Sequence, residues 1–396
     1  MVLIFLSFSA FNYVVDPYGI HQFFKKEGFN LNKPAMKSHL RMSKAYAVRN
    51  QKPKSIILGT SRAEFGLDPD HEGFIYFPTY NLNLSGGNTY EMLRYFQHAN
   101  AVSDIKQTIL ALDFFQFDIN NQNSPDFSEE RLAVDILGNP TNFMPMNDIL
   151  DSLFAFDTLI SSIDTVFSQT EKPTYLRNGL LDPTTTRRVK LLDIIGQRRL
   201  FLNNEERYFK KTYKNFSLEI PDKNLNSLEH YRQLLSIAYK TNMDLRILIN
   251  PAHARQLETL YQSDLWEIFE FWKTKLTEIN EMEARISNKQ PYPIWDFSGF
   301  NIYTTETVPS IYDLKSRMQW YWESSHFKKE LGDKVLNTVL FNQFDQMEVE
   351  SFGVKINSSN IYLHNSSVRE NHKVWKNKNP QDVKEIKNLN NLEMNY

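Results

Sequence analysis

The chain of 396 residues contains no cysteine. This absence excludes disulfide scaffolds, cysteine-ligated zinc, iron–sulfur clusters and thiol nucleophiles. It does not identify the cellular compartment, because a cysteine-free chain is merely compatible with an oxidising one.

The chain also lacks an excess of positive charge. Its 45 Lys and Arg residues face 47 Asp and Glu residues, for a net charge of −2. Sequence-independent binding to nucleic acid needs surplus positive charge, so we expect no nucleic acid partner. No Gly-x-Gly-x-x-Gly follows a predicted strand and no Walker-type loop is present, which disfavours a nucleotide-binding domain. Hydrophobic residues make up 41% of the chain, enough for a sizeable core.

No hydrophobic run in the chain is long enough by itself to cross a bilayer. The first fifteen residues are uncharged, but as a helix they span only about 22 Å of the ~30 Å hydrocarbon core. The segment is either the outer part of a membrane anchor, assigned to residues 1–20, whose start lies upstream of Met1, or a buried element of the core. We favour the anchor because no polar face interrupts the run.

Short apolar runs that end in turn residues predict the strands of a sheet. They lie at 54–59, 80–84, 107–112, 245–249 and 294–297, and helical patterns lie at 89–102, 225–240, 254–286 (one helix or two) and 327–341. This alternation predicts a three-layer α/β/α fold with a mainly parallel sheet and ligands at the carboxyl ends of its strands.

Composition divides the rest of the chain. The main α/β domain is assigned to residues 21–345, with a largely helical insertion at about 118–224. Residues 346–396 are rich in Asn, Lys and Ser, and they predict a polar, partly disordered tail with at most one short helix near 382–392.

Three short motifs carry residues suited to acyl chemistry. Ser61 follows the first predicted strand in Gly-Thr-Ser-Arg, where its hydroxyl is exposed on a turn. Gly86, Gly87 and Asn88 follow the second strand and supply candidate N–H donors for an oxyanion. His326 precedes the last helix, three residues after a carboxylate that can fix its tautomer. Taken singly, the motifs of Ser61 and His326 are more typical of a helix cap, and the glycine motif can be a plain turn.

Together, the order of these motifs resembles that of the SGNH (GDSL-type) hydrolases, from about Asp16 to Phe341. The stretches ILGTSRAEFGLDP, YNLNLSGGNTYEMLRYFQHA and YWESSHFKKELGD are similar to those of proteins that modify bacterial cell-envelope polysaccharides, of the alginate O-acetyltransferase and teichoic acid D-alanyl transfer type. The resemblance implies that Ser61 is the nucleophile and His326 the general base. Glu323 stands where the family usually has Asp.

One family block has no clean match in this chain. The third strand runs into Asp113-Phe114-Phe115-Gln116, without the asparagine that donates to the oxyanion in the hydrolases. The resemblance therefore leaves the oxyanion to the N–H groups of Ser61 and Gly87, with Asn88 or Gln116 as helpers.

Further polar residues lie where strands end and could line a pocket. His253 and Arg255 follow the strand at 245–249 and could meet a substrate carboxylate or phosphate, or they could be helix N-terminal packing. Arg62 could bind an anion or pair with Glu64 or Asp68. The basic pairs at 187–188 and 198–199 could touch an anionic glycan or lipid head groups, although such pairs are more often a solvated helix face.

The function implied by the resemblance is serine O-acyl transfer or ester hydrolysis on a surface polysaccharide, with Ser61 acylated. The domain is expected on the periplasmic or extracytoplasmic side of the inner membrane, held by the N-terminal anchor and supplied by a membrane acyl-donor protein. No metal and no cofactor are expected. The alternative is a catalytically inactive, glycan-binding or assembly protein on the same scaffold.

Overall fold

A computed structural model of the chain describes residues 2–141, 145–169, 172–223, 225–341 and 352–394. Six of its strands form one sheet in the order β2-β1-β3-β6-β7-β8. All neighbours in this sheet are parallel except β7 and β8. The strands are β1 Ser55–Leu58, β2 Thr79–Asn81, β3 Gln107–Leu112, β6 Asp244–Ile249, β7 Ile294–Asp296 and β8 Val354–Ile356, while β4 Glu219–Ile220 and β5 Leu225–Asn226 form a separate antiparallel pair.

Helices make up most of the remaining regular structure. Those of the N-terminal half are α1 Val2–Val15, α2 Leu40–Gln51, α3 Ser61–Gly66, α4 Thr89–Val102, α5 Met146–Phe154, α6 Phe156–Phe167 and α7 Arg187–Lys190. Those that follow are α8 Leu192–Arg207, α9 Ser227–Lys240, α10 Ala254–Gln262, α11 Trp266–Ile286, α12 Lys329–Phe341, α13 Ile361–Lys378 and α14 Pro380–Met394.

The sheet is buried on both faces. Along β1, Ile56 and Leu58 belong to one apolar cluster and Ile57 to the cluster on the opposite face. Because successive side chains of a strand point to opposite faces, a continuous apolar run indicates a strand covered on both sides. The predicted α/β class with a mainly parallel sheet is confirmed.

The end of the chain differs from the predicted partly disordered tail. β8 extends the sheet, and α13 and α14 pack against α11 and α10. Ile361, Val368, His372 and Trp375 are buried along α13, a helical spacing that the surrounding Asn and Lys residues conceal. α14 includes the whole of the short helix expected near 382–392. The assigned boundary at 345/346 lies outside the described residues.

The N-terminal segment is a helix, α1, that packs against α5 and α6 of the insertion. Among the described residues, none of the helices combines the length and the apolarity that crossing a membrane requires.

A pair of glycines lies where α3, near the start of the main domain, meets α12, near its end. A Cβ atom on Gly332 of α12 would lie 1.8 Å from the backbone oxygen of Gly66 at the end of α3. The close approach of α12 to α3 therefore requires glycine at position 332, while a Cβ atom on Gly66 would lie 2.0 Å from the ring of Phe327. α3 begins with Ser61 and α12 follows His326, so this contact fixes the relative position of the two motifs.

Candidate active site

Ser61 lies on a tightly held turn between β1 and α3. A Cβ on Gly59 would lie 2.4 Å from the backbone oxygen of Ala111, so glycine is required for the close approach of the neighbouring strand. Thr60 caps α3, and its hydroxyl donates to Asp113 Oδ2 at 2.5 Å. The turn is thus tied to the end of β3.

Arg62 stabilises this turn from the protein interior. The pairing with Glu64 or Asp68 that the sequence suggested as one alternative is not observed. Its Nη1 donates to Asp113 Oδ1 at 3.0 Å, and its Nη2 donates to the Tyr208 hydroxyl at 3.1 Å. Burial raises the pKa of Asp113, whereas the Arg62 cation opposes this shift. Glu64 instead pairs with Lys44 at 2.8 Å. Arg62 is buried, and these contacts give it a structural role.

The structure brings Ser61, His326 and Glu323 together in one chain of contacts. Ser61 Oγ lies 2.9 Å from His326 Nε2, although the two residues are 265 positions apart. The other ring nitrogen, Nδ1, contacts Glu323 Oε1. A carboxylate at Nδ1 selects the tautomer whose Nε2 can accept the serine proton.

The loop that carries Glu323 and His326 is itself fixed by hydrogen bonds. The backbone N–H of Ser325 donates to Glu323 Oε2 at 2.8 Å, and Asn204 of α8 donates to the Ser324 hydroxyl at 2.8 Å. Glu323 is fully buried and His326 is nearly so. The imidazole therefore has little freedom to leave its position beside Ser61.

Electrostatics keep His326 neutral at physiological pH. Burial lowers its pKa most, Glu323 raises it and Arg188 lowers it, and the result is a pKa of about 4. For Glu323, burial alone would raise the pKa, but His326 and Arg188 hold that pKa well below its usual range. A neutral imidazole next to an ionised carboxylate is the protonation state that a general base needs.

Arg188 also belongs to this site, although the sequence analysis did not predict its contact with Glu323 and His326. It belongs to α7 of the insertion, and its Nη1 donates to Glu323 Oε1 at 2.8 Å. The same nitrogen lies 2.6 Å from His326 Nδ1. The sequence placed the 187–188 pair on a solvated face or a ligand surface. A contact that joins positions 135 residues apart leaves no local signal.

A cleft of about 1010 Å³ opens over Ser61 and His326. Its lining includes Phe65, Ser85 and Gly86, and seven cationic side chains against two carboxylates. The cationic residues are Lys37, Arg41, Arg187, Arg188, Arg207, Lys211 and Lys214, and the carboxylates are Asp118 and Asp126. Arg41 and Arg188 are paired with Glu91 and Glu323. The remaining five cations still outnumber the two carboxylates, so the cleft favours ligands that carry negative charge.

The predicted oxyanion donors lie in different places. Gly86 lines the cleft, with a φ of +66° that favours glycine. The N–H of Gly87 donates to Leu84 O at 2.9 Å. Asn88 caps α4, and its amide donates to Asn121 O at 2.8 Å. Gln116 is buried beside the Met92 sulfur, and the described chain does not bring it to Ser61.

His253 and Arg255 are structural residues of α10. His253 caps the helix, and its Nε2 hydrogen-bonds the backbone oxygen of Glu306 at 2.8 Å. Arg255 is fully buried and pairs with Glu205 at 2.7 Å and with Asp382 of α14 at 2.6 Å. Neither residue is among those that line the cleft. The C-terminal helix α14 covers Arg255, so the two side chains do not reach a ligand in the cleft.

No match is found when the chain is compared with protein-family models, with curated proteins or with solved structures. Inferences about function therefore depend on the chemistry of the site.

The arrangement can perform covalent catalysis at an acyl carbon. A serine hydroxyl within hydrogen-bond reach of a histidine that is oriented by a carboxylate is the geometry of an activated oxygen nucleophile. The backbone N–H groups of Ser61 and Gly86, both at the cleft, are the candidate donors to a developing oxyanion.

Proposed function

We propose that this protein is an extracytoplasmic SGNH-type serine O-acyltransferase or esterase that modifies a bacterial surface polysaccharide. The observation that carries the proposal is the 2.9 Å contact between Ser61 Oγ and His326 Nε2, with Glu323 on the other ring nitrogen.

The proposed reaction has two steps. His326 Nε2 takes the proton of Ser61 while Oγ attacks the acyl carbonyl carbon, and the resulting tetrahedral oxyanion accepts hydrogen bonds from backbone N–H groups. Collapse breaks the bond to the donor's leaving oxygen, which receives the proton from His326. A sugar hydroxyl, or water, then repeats these transfers on the acyl-enzyme and leaves with the acyl group.

The charge of the cleft supports an anionic polymer as the acceptor. Seven cationic side chains line the cleft, and several of them, including Arg187 and Lys214, belong to the insertion over the sheet. A volume of about 1010 Å³ is at the upper end of the range for small-molecule pockets. It leaves room for an acyl donor and several sugar units.

The proposal places the domain outside the inner membrane, with α1 as part of its anchor and a membrane protein as the source of the acyl group. The absence of charged residues from α1 supports its contact with a membrane.

A non-catalytic glycan-binding role is the second candidate, and a specific observation favours it. The N–H of Gly87 and the amide of Asn88 are both engaged in other hydrogen bonds. Only two candidate oxyanion donors then remain, and the loss of one such donor typically costs about 3 kcal/mol of transition-state stabilisation.

Turnover separates the two candidates. We expect the purified protein to hydrolyse p-nitrophenyl acetate and to transfer its acetyl group to an acidic polysaccharide, and Ser61→Ala to abolish both reactions. Ser38→Ala is the matched control, because Ser38 lines the same cleft but its hydroxyl bonds His39 and Ala35. Saturable polysaccharide binding by wild type and Ser61→Ala alike, without turnover by either, would favour the binding role.

A further inference from the structure

Helices α1, α5 and α6 bury small polar side chains where they meet. The only buried residues along the described α5 and α6 are hydroxyl-bearing: Ser152, Thr158, Ser162 and Thr165. Asn12 of α1 is 1% exposed. Helices that pack in water normally bury an apolar stripe, whereas α5 and α6 fully bury only hydroxyl-bearing residues and leave their inner apolar side chains half-buried.

Hydrogen bonds between side chains and backbone join the three helices. The Ser162 hydroxyl donates to Asn12 Oδ1 at 2.8 Å, and Asn12 Nδ2 donates to the backbone oxygen of Leu153 on α5 at 3.0 Å. The amide of Asn12 on α1 thus links α5 and α6.

The large apolar side chains of α6 lie on the outside. Phe156, Ile160, Ile163 and Phe167 are 70%, 52%, 45% and 81% exposed. Their spacing of four, three and four residues places them in one stripe, on the side of α6 opposite to its buried hydroxyl residues. Exposed apolar residues of the neighbouring helices are Met146, Leu150 and Phe154 on α5, and Leu6, Phe8, Tyr13 and Val14 on α1.

This polarity is the one that lipid imposes. Within a bilayer, small and hydroxyl-bearing residues lie between helices and hydrogen-bond across them, while apolar side chains face the acyl chains. We propose that the outer surface of α1, α5 and α6, the α1–α5–α6 face, lies in the interfacial region of a lipid bilayer. A soluble dimer that formed through this face would explain the exposed apolar side chains. It would not explain why hydroxyl-bearing residues lie buried between the helices.

Charges around the face indicate how deep it lies. Asp157 and Asp164 are exposed on the flank of the apolar stripe, so α6 lies along the membrane surface with its carboxylates at head-group level. Near the end of α1, the ring of Tyr13 lies 5.9 Å from that of Phe23, and exposed Lys25 and Lys26 follow in the chain. Aromatic and basic residues in this order are typical of a membrane–water boundary.

The face adjoins the cleft. The turn Pro34–Lys37 packs against α6, and Lys37 is among the residues that line the cleft. If the protein performs the proposed acyl transfer, an acyl donor held in the membrane would lie close to the entrance of the cleft. The membrane contact itself does not depend on catalysis.

Vesicle flotation with the full chain tests the proposal. On uncharged phosphatidylcholine vesicles, we expect the triple variant F156S/I160S/F167S to reduce the bound-to-free ratio by about tenfold or more, because three exposed apolar side chains lose their burial in lipid. The control L137S/I302S/L363S changes side chains that are 81%, 63% and 78% exposed elsewhere, and it should float like the wild type. Equal flotation of both triple variants would overturn the proposal.

A single cysteine gives a second readout, since the chain has no cysteine of its own. We expect vesicles to slow the reaction of Ile163→Cys with a charged maleimide by at least about tenfold, and to leave Leu363→Cys unaffected. Protection of Ile163→Cys without vesicles, with a doubled mass by light scattering, would show that a second copy covers the face and would contradict the proposal. Labelling of Ser61 by a fluorophosphonate, measured in parallel, reports separately on the catalytic proposal.

Discussion

Arg188 offers a direct test of the electrostatics of the site, because it is the cation closest to the general base. Replacing it by Gln removes a positive charge that lies 2.6 Å from His326 Nδ1. The cation disfavours protonation of the imidazole, so its removal raises the pKa of His326. The base is active only when neutral, and the acidic limb of the pH–rate profile therefore moves to higher pH.

The size of the shift follows from Coulomb's law. With the two charge centres about 4 Å apart, the interaction is about 4 kcal/mol at an effective dielectric constant of 20 and about 1 kcal/mol in bulk water. At 1.36 kcal/mol per pKa unit, these limits correspond to about 3 and about 0.7 units. The Arg188 side chain is 30% exposed, which favours the middle of this range. From a starting pKa of about 4, we expect the limb near pH 5 to 6.

The measurement is kcat/KM for p-nitrophenyl acetate between about pH 3.5 and 9, since this ratio reports the pKa of the free enzyme. Arg187→Gln is the matched control, because Arg187 lines the same cleft and its side chain is exposed. An acidic limb that stays in place in Arg188→Gln, or that moves equally in Arg187→Gln, would refute the reasoning. Raising the salt concentration should shrink the difference between wild type and Arg188→Gln.

Three further substitutions test separate parts of the account. Glu323→Gln should lower kcat about 10³-fold or more with little change in KM, because the amide no longer selects the productive tautomer of His326 or stabilises the imidazolium. Asp113→Asn should lower the free energy of unfolding in urea by about 3–5 kcal/mol, because the buried Arg62 cation loses its partner. Gly332→Ala should lower unfolding stability by about 1–3 kcal/mol and slow turnover by up to about 10²-fold, because the new methyl group pushes α3 away from α12.

Each of these substitutions has a matched control. Glu330→Gln changes an exposed carboxylate near the same loop, Asp104→Asn removes an exposed ion pair, and Asn337→Ala alters the same helix as Gly332. We expect all three controls to behave like the wild type. Undiminished kcat in Glu323→Gln, or unfolding midpoints of the other two that match their controls, would contradict the corresponding contact.

The sheet could be predicted because its strands are buried on both faces. β1, β3 and β6 each contain a short apolar run that ends at a turn, interrupted only by Arg246 in β6, and this local pattern needs no knowledge of the partner strands. β8 has three residues and pairs antiparallel at the edge, so its sequence carries no comparable signal. The many polar residues of α13 and α14 similarly hide the few buried positions through which these helices pack against α11 and α10.

The residues of the candidate site that belong to short local motifs could be predicted from the sequence. Ser61 and the Glu323–His326 pair each lie in one loop, and their order along the chain suggests that they meet. Arg188 could not be assigned in this way, because its partners lie in a distant segment. His253 and Arg255 follow a strand as ligand residues do, and only the helices of the C-terminal region show that they are covered.

The central claim is that Ser61 is a nucleophile activated by His326. The most direct measurement is the intact mass of the protein after reaction with a fluorophosphonate, followed by peptide mapping. We predict one adduct per chain, located on Ser61, absent from Ser61→Ala and strongly slowed in His326→Ala. No adduct on the folded wild type, or an adduct that persists in Ser61→Ala, would contradict the claim.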